Sequence, residues 1–589
     1  MPPQVALART GKAPKIRRGH SGCKACRKRG KRCDETKPCC RACVRLKLDC
    51  SYAVDYSFRN HSAATFRPQV EQSRAVSVSA ECSNLHVLEK VTPKILFSPT
   101  SLDCGGNLEA TYWSHFEKHV LHLLPGVSIP FMEVAIQSPS LRFAALCLSA
   151  SNLSMLNAQV QRRTIAKDRR RCVSSPLANK LHHAQAQRYH EHALTCSPFN
   201  KPPSDPPADL AALVLLAYYH HASTDHLKFR LAVWESVQFA LLNKDALLRT
   251  MGGRGALQMW YRLCISHRLS KPPPFMLEGE GPSAFGPNRF PDTFDQLFLS
   301  CILSMSADDL IYDILIKTIE IRSRLVLFRS VAGSRQIPEY VTNIGSVAYT
   351  VLNKLLGRCS MDHEEAEAEQ GFVRGSTLLE LLEVQKQRLQ VWRSRLTEEQ
   401  QLPGAFQSSR TFSRHRDAMN ALYCILCEMI FEEAGRVISP LGTQPDNDPH
   451  AMNLVNLANT LCQVAGTLNF NTSNMEDIYT FSLAETLFQL VLVYRSEAIF
   501  HSILDIIWPQ MESKSRGYEH SHYPTHLVKR IITEISRHWA QGRDITFAQP
   551  AVPEDMPKLR LLDIDYPIHL VVCGYDGDGG HFIERIPLP

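Results

Sequence analysis

Residues 22–50 read GCKACRKRGKRCDETKPCCRACVRLKLDC. Cysteines stand at positions 23, 26, 33, 39, 40, 43 and 50. With Cys39 set aside, the other six follow C-x2-C-x6-C-x6-C-x2-C-x6-C. Each half opens with a C-x2-C pair and closes with a third thiol seven residues on, so one metal-binding unit is written twice. A C-x2-C pair turns the chain back within four residues and can set two sulfurs on one ion. Tetrahedral thiolate sites favour zinc, and closed ones are structural. So short and charged a segment cannot fold on apolar burial alone. Ligation would supply its folding free energy, on the order of 10–16 kcal/mol per zinc in finger peptides. Six thiolates and two Zn²⁺ leave a net charge of −2, which the surrounding Lys and Arg offset. A disulfide framework is the competing reading, but it needs an oxidising compartment, and nothing in the sequence routes the chain to one.

The chain has 589 residues and a net charge of +8. Residues 1–50 hold fifteen Lys/Arg against three Asp/Glu, so the positive charge belongs to this segment and the remainder is slightly acidic. A confined basic footprint points to a nucleic-acid contact. Residues 1–19 are basic, without an apolar run of signal-peptide length. No stretch reaches about 18 uninterrupted apolar residues, so no membrane span is expected. The reading is a protein of a reducing, intracellular compartment. Arg17-Arg18 and the run Arg27 to Arg32 also suit nuclear import.

The cysteine stretch resembles the binuclear zinc cluster of fungal transcription regulators. The resemblance rests on the two matching halves, on Arg27, Lys28, Arg29, Lys31 and Arg32 between the second and third cysteines, and on Lys37-Pro38 before the fourth ligand. It implies two zinc ions held by Cys23, Cys26, Cys33, Cys40, Cys43 and Cys50, with Cys23 and Cys40 bridging and Cys39 a spare thiol. Gly30 departs from the pattern, since a second Lys or Arg is common there. The resemblance further implies a nuclear, sequence-specific regulator of RNA polymerase II genes, acting on double-stranded DNA at a short G/C-rich triplet. Each C-x2-C should open a short helix, and a helix amino terminus in the major groove brings cations to phosphates and base edges. Lys28 and Arg29 are the expected base readers. Lys24, Arg27, Lys31, Arg32, Arg41, Arg45 and Lys47 are the expected phosphate contacts, which usually outnumber base contacts.

Residues 20–51 are thus read as the DNA-binding module. Residues 52–105 look like a linker, rich in Ser, Ala, Val and Asn, with Pro68, Pro93 and Pro99. No a/d apolar repeat runs over three heptads there, so a zipper is not supported and a homodimer would have to form elsewhere. From about 106 the texture turns to amphipathic helices: 108–124, 138–155, 208–220, 227–242, 377–396 with a Thr377-x-x-Glu380 capping-box pattern, 417–434, 452–468 and 478–507. The fold class expected is a small metal-stabilised zinc cluster module plus a large all-α helical regulatory domain over 106–545, followed by a tail over 546–589. YWSHFEKHVLHLL (112–124), SPSLRFAALCLSASNLSML (138–156) and LAALVLLAYYHHASTDHLKFRL (210–231) resemble the fungal-specific transcription factor domain that follows the cluster in this family. That implies a helical body receiving a signal or co-regulators.

Other stretches read blandly. Cys424-x2-Cys427 lies in an apolar helix and reads as buried structural thiols. His182, His183, His190 and His192 lack the spacing of a zincin site and read as a solvated helix face. The basic run 162–171 reads as an exposed loop, with a second import signal as the sharper option. The acidic run 362–369 reads as a solvated loop, Gly252 to Gly255 as a loop, and Gly574 to Gly580 as a turn between two short strands. The competing class is an enzyme or ligand-binding helical protein carrying a zinc module. Six thiolates around two ions would leave no open position for catalysis, so no enzyme is expected. Metal storage fails on proportion, the cysteine stretch being a small fraction of the chain.

Overall fold

A computed structural model describes residues 25, 26, 29, 33, 34, 36, 39–48 and 50. Beyond these it describes 105–124, 131–156, 159–164, 173–177, 179–196, 205–223, 225–270, 296–332, 340–341, 373–396, 412, 414–438, 449–468, 477–514, 523–551 and 568–588. The chain divides into two units, residues 1–99 and 100–589. In the first unit, described residues form the short helix α1 (Arg41–Arg45), and Ala25 and Cys26 are helical. Residues 1–19 and 52–104 lie outside the described residues, as does the acidic run 362–369.

The second unit is a relay of packed helices: α2 (Gly105–His115), α3 (Pro139–Leu156), α4 (Lys180–Thr195), α5 (Pro206–Ala222), α6 (His226–Leu242), α7 (Met251–Ser270), α8 (Ala307–Ala332), α9 (Gly375–Ser394), α10 (His415–Ile438), α11 (Pro449–Gly466), α12 (Leu483–Val493) and α13 (Thr525–Ala540). α3 packs on α4 and α5, and α5 on α6 and α7. α7 meets α8, which lies against α9 and α10; α10 then meets α11 and α12, and α12 meets α13. α3 and α5 are buried nearly all round, which their Ala, Ser and Leu content permits, because small side chains let neighbouring backbones close in on every side.

This unit is mostly helical rather than all-α. β1 (Gln159–Thr164) pairs antiparallel with β2 (Val173–Leu177), and β3 (Tyr340–Val341) with β4 (Val373–Arg374). β5 (Asp544–Ala551), β6 (Ile568–Tyr575) and β7 (His581–Leu588) form an antiparallel sheet in that order. β5 crosses position 546, where the sequence reading ends the helical body. The sheet packs against α8, and its outer strands also meet α13. Central β6 carries Leu570, Val571, Val572 and Cys573 in succession, all buried, and such a run suits a strand covered on both faces. The β6–β7 hairpin closes where Asp576 N–H donates to Gly580 O (2.8 Å), with Gly579 at φ 86°. That is the turn expected at 574–580.

Three local expectations change. Gly252 to Gly255 form the first turn of α7 rather than a loop. A Cβ on Gly253 would lie 2.1 Å from Leu247 O, so only glycine lets the preceding turn come this close. α9 starts at Gly375, two residues before the proposed Thr377 cap. A true capping box instead opens α12, where Ser482 Oγ accepts from Glu485 N–H (3.3 Å) and Glu485 Oε2 accepts from Ser482 N–H (3.0 Å). The stretch 478–507 is also no single helix, for Tyr494 is extended and Ser496 caps a new one.

Buried charge locks the sheet to the helices. Arg322 of α8 is almost fully buried. It donates to both carboxylate oxygens of Glu433 on α10 (2.5 and 2.7 Å), to Leu492 O at the end of α12 (2.5 Å) and to Thr546 O in β5 (3.1 Å). Arg495 donates to Asp544 and to Val491 O (2.9 Å), fixing the same corner. Arg322→Ala leaves the half-buried Glu433 carboxylate without its cation and the Leu492 and Thr546 carbonyls without their donor, and is expected to cost about 3 kcal/mol. In urea unfolding, an Arg322→Met/Glu433→Leu pair should recover most of that loss. Burial pushes His115 and His526 down to about 4. The unfolded chain therefore binds more protons than the folded one below about pH 6.5, the ordinary histidine value. Stability should fall as pH drops from about 6.5 to about 4. His115→Gln, which keeps a donor to Asn152 Oδ1, should flatten that slope in urea midpoints taken across the range.

Candidate metal centre and nucleic-acid surface

Cys26, Cys33 and Cys40 form one trio of sulfurs, and Cys40, Cys43 and Cys50 another; within each, the sulfurs lie within 4.8 Å of one another. Cys40 belongs to both. Cys23 lies outside the described residues. Cys26 Sγ and Cys40 Sγ are 3.7 Å apart. A disulfide would need about 2.0 Å, whereas a tetrahedral ion with metal–sulfur bonds of about 2.3 Å sets its sulfurs about 3.8 Å apart. None of the described cysteines is joined in a disulfide, which speaks against the disulfide framework for them. The donor set is all sulfur, and it fits zinc. Cys26, Cys40 and Cys43 are buried, Cys33 and Cys50 half-buried, and Cys39 exposed.

Backbone geometry holds the second trio. Cys40 caps α1, its sulfur accepting from Cys43 N–H (3.4 Å), while Cys40 N–H donates to Cys50 Sγ (3.3 Å). Amides aimed at sulfur offset thiolate charge and fix the ligands in place. Asp34 follows Cys33 and reaches forward: its Oδ2 accepts from Arg41 N–H (3.1 Å) and Thr36 Oγ1 (3.0 Å). It ties the end of the first half to the start of α1, a role the sequence reading missed. Its only signal in the sequence is a carboxylate just past a ligand-spaced cysteine. α1 ends with Lys47 N–H donating to Val44 O (3.3 Å) and Leu48 N–H to Cys43 O (3.0 Å). This paired closure turns the chain toward Cys50 and needs a left-handed residue. Lys47 takes that place at φ 47°, where a Cβ costs about 1 kcal/mol relative to glycine.

Of the expected DNA contacts, Arg29, Arg41, Arg45 and Lys47 are exposed. The side chains of Lys24, Arg27, Lys28, Lys31 and Arg32 lie outside the described residues. Val44, Leu46 and Leu48 are exposed among the second-half cations. Among the described residues of this unit the buried cluster is Cys26, Cys40 and Cys43, and none of these three aliphatics belongs to it.

Elsewhere the thiols and histidines serve packing. Cys424 and Cys427 are buried, and burial pushes the Cys424 thiol up to about 12, so neither suits redox chemistry. The histidines of α4 are not simply a solvated face. His182 Nδ1 meets Tyr112 OH (2.9 Å) and His190 Nε2 meets His220 Nε2 (3.1 Å), so these two join α4 to α2 and α5, while His192 is exposed. Arg162 to Thr164 stand in β1 rather than a loop, and residues 165–172 lie outside the described residues. Among the described residues no helix is long and apolar enough to cross a membrane.

Residues 21–56 match the fungal Zn(2)-Cys(6) binuclear cluster domain. Sterol uptake control protein 2 of Candida albicans (strain SC5314) is 33% identical over 104 residues, 17% of this chain and 15% of that protein. Sterol uptake control protein 2 of Saccharomyces cerevisiae (strain S288c) is 34% identical over 80 residues, 14% of this chain and 9% of that protein. The likeness thus spans less than a sixth of either relative's length. No solved structure matches the chain. The amino-terminal segment is a zinc-binding, DNA-binding domain of the transcription factor type.

The shared sulfur sets the order of damage. Cys40→Ser is expected to remove zinc from both trios, and Cys39→Ser to leave zinc per chain unchanged, as elemental analysis of purified protein would read. Asp34→Ala should retain zinc at neutral pH but lose it faster to a chelator.

Proposed function

We propose that this chain is a nuclear, sequence-specific DNA-binding regulator of RNA polymerase II transcription. Two zinc ions are held by Cys23, Cys26, Cys33, Cys40, Cys43 and Cys50, with Cys23 and Cys40 bridging. The observation that carries the reading is the pair of sulfur trios meeting at Cys40 within a segment that matches a binuclear cluster domain. Zinc supplies the fold, and no bond of a substrate is made or broken there.

The amino-terminal half of the cluster presents its cations to the major groove of a G/C-rich triplet. Lys28 and Arg29 read bases; a bidentate cation on guanine O6/N7 is worth about 1–3 kcal/mol of discrimination. Lys24, Arg27, Lys31, Arg32, Arg41, Arg45 and Lys47 hold phosphates and set register. The helical body, read as a fungal-specific transcription factor domain, regulates the module and receives co-regulators. The relatives' names speak of control of sterol uptake, and a metabolic gene set of that kind is the reading for the targets.

The test is selection from randomised duplex DNA by the full chain, with and without zinc, at two salt concentrations. Enrichment of a G/C-rich triplet only with metal supports the reading, and one triplet or two separates monomer from dimer readout. Binding that falls steeply with salt and enriches no sequence would reduce the module to a phosphate binder. Arg29→Ala is expected to relax preference at one position of the enriched site, with zinc content unchanged.

A further inference from the structure

Where α5, α7 and α8 meet, buried donors are left without acceptors. Tyr218 of α5 is wholly buried, and its hydroxyl has no hydrogen-bond partner among the described residues. Arg262 of α7 is almost fully buried, and its Nε–H has no acceptor among them either. The guanidinium carbon stands 3.2 Å from the centre of the Tyr312 ring of α8. Its hydrogen bonds to described residues are long: Nη1 donates to Asp309 Oδ1 (3.3 Å) and to Asp308 O (3.4 Å). Neighbouring hydroxyls are engaged elsewhere, Tyr312 with Ser266 Oγ (2.8 Å) and Tyr423 with Phe481 O. Tyr218 and Arg262 lie within electrostatic reach of each other: burial pushes the phenol well up, and the Arg262 charge draws it back. An unpaired buried donor is destabilising, and two of them in one corner of the interior ask for an acceptor from outside the chain.

We propose that Arg262 and Tyr218 form a binding site for a small organic carboxylate within the helical body. An ionised carboxylate only accepts hydrogen bonds, and its two oxygens match the planar fork of a guanidinium while leaving lone pairs for a phenol. Arg262 Nε–H and Tyr218 O–H donate to it. The aromatic rings of Tyr312 and Tyr479 bound its apolar part; Tyr479 stands edge-on to Tyr218, with centroids 5.5 Å apart. Asp309 is a competitor already in place. It lies in the first turn of α8 and is partly exposed, and its other oxygen accepts from the exposed Ser306 Oγ (2.7 Å). The incoming carboxylate takes its place on Arg262 and lets Asp309 turn to water, so the interior keeps its charge balance. Exchange of one acid for the other alters the contact between α7 and α8, and the ligand thereby bears on the body as a whole.

The experiment uses the full zinc-loaded chain, as wild type, Tyr218→Phe and Asp309→Asn. Acetate and benzoate are the probes and benzamide is the neutral counterpart. Binding is read by calorimetric titration, and stability by urea midpoints, at an ionic strength held constant with chloride. A carboxylate is expected to bind once per chain and to raise the urea midpoint, and benzamide to do neither. Tyr218→Phe, which only deletes the unpartnered hydroxyl, should keep or raise the midpoint without ligand and weaken carboxylate binding by about tenfold. Asp309→Asn removes the competing charge and should tighten it. If neither carboxylate saturates the chain, the site is overturned. Equal binding of benzamide overturns the carboxylate class, and binding that Tyr218→Phe leaves unchanged lies elsewhere on the chain. A lower midpoint for Tyr218→Phe without ligand shows that the hydroxyl already has a partner, which removes the premise. DNA affinity enters none of these readouts, so their failure leaves the DNA-binding reading as it was.

Discussion

Sulfur stands where an apolar core would be. Among the described residues of the amino-terminal unit the buried cluster is Cys26, Cys40 and Cys43, flanked by Ala25, Ala42, Cys33 and Cys50. Such a patch buries too little apolar surface to offset the conformational entropy of ordering the surrounding chain. Thiolates gathered this closely repel one another unless a cation joins them. Metal ligation is therefore the constraint from which the rest of the unit follows. It bears on where α1 begins, because Cys40, whose sulfur belongs to both trios, also caps that helix. It decides where α1 ends, because the chain must come back to Cys50, and that return imposes the left-handed backbone on Lys47. Among the described residues, cations (Arg41, Arg45, Lys47) and aliphatics (Val44, Leu46, Leu48) alike stand at the surface, where they can serve recognition.

The second unit solves the opposite problem, having abundant apolar surface and several charges buried within it. Asp313 is fully buried between Arg388 of α9 (2.5 Å) and Lys317 (3.1 Å). Lys529 of α13 is bound by both oxygens of Glu512 (2.9 and 3.0 Å), and Arg530 donates to Leu588 O in β7 (2.9 Å). Exchange for apolar residues would often be neutral or stabilising, but deletion of a single partner is not. These pairs specify which helix meets which more than they add stability. They also explain how α13, with many charged residues, comes to be buried on most sides.

Much of the metal site was legible because ligand spacing is local: a C-x2-C pair announces itself within four residues, and the repeat of one spacing excludes chance. The second-half geometry could not be read, since Asp34 and Lys47 act through backbone groups that have no letter in the sequence. In the body, α3, α5, α6, α9, α10 and α11 were legible from their apolar periodicity, and the strand pair around Gly574 to Gly580 from its turn residues; α7, α13 and the 26-residue α8 were not named. β5 was not. Its ITFAQPA contains Pro550 and lacks clean alternation, and it becomes a strand by pairing with β6. The capping signal at Thr377 misled because α9 already starts at Gly375, while the working box at Ser482 and Glu485 lay inside an apolar run read as continuous helix. His182 and His190 looked like surface because one helix was considered alone. Their partners, Tyr112 and His220, are 70 and 30 residues away.

Arg322 gathers positions separated by 111, 170 and 224 residues of chain. Each of those partners comes from a different element, and none can be supplied by a neighbouring segment. Any recombination that exchanges a stretch between residues 322 and 546 must therefore bring a matching acceptor set or strand a guanidinium in the interior. The metal module, closed within thirty residues, can be shuffled between proteins as a cassette. The body cannot be traded in parts, and its lineage should show it inherited whole.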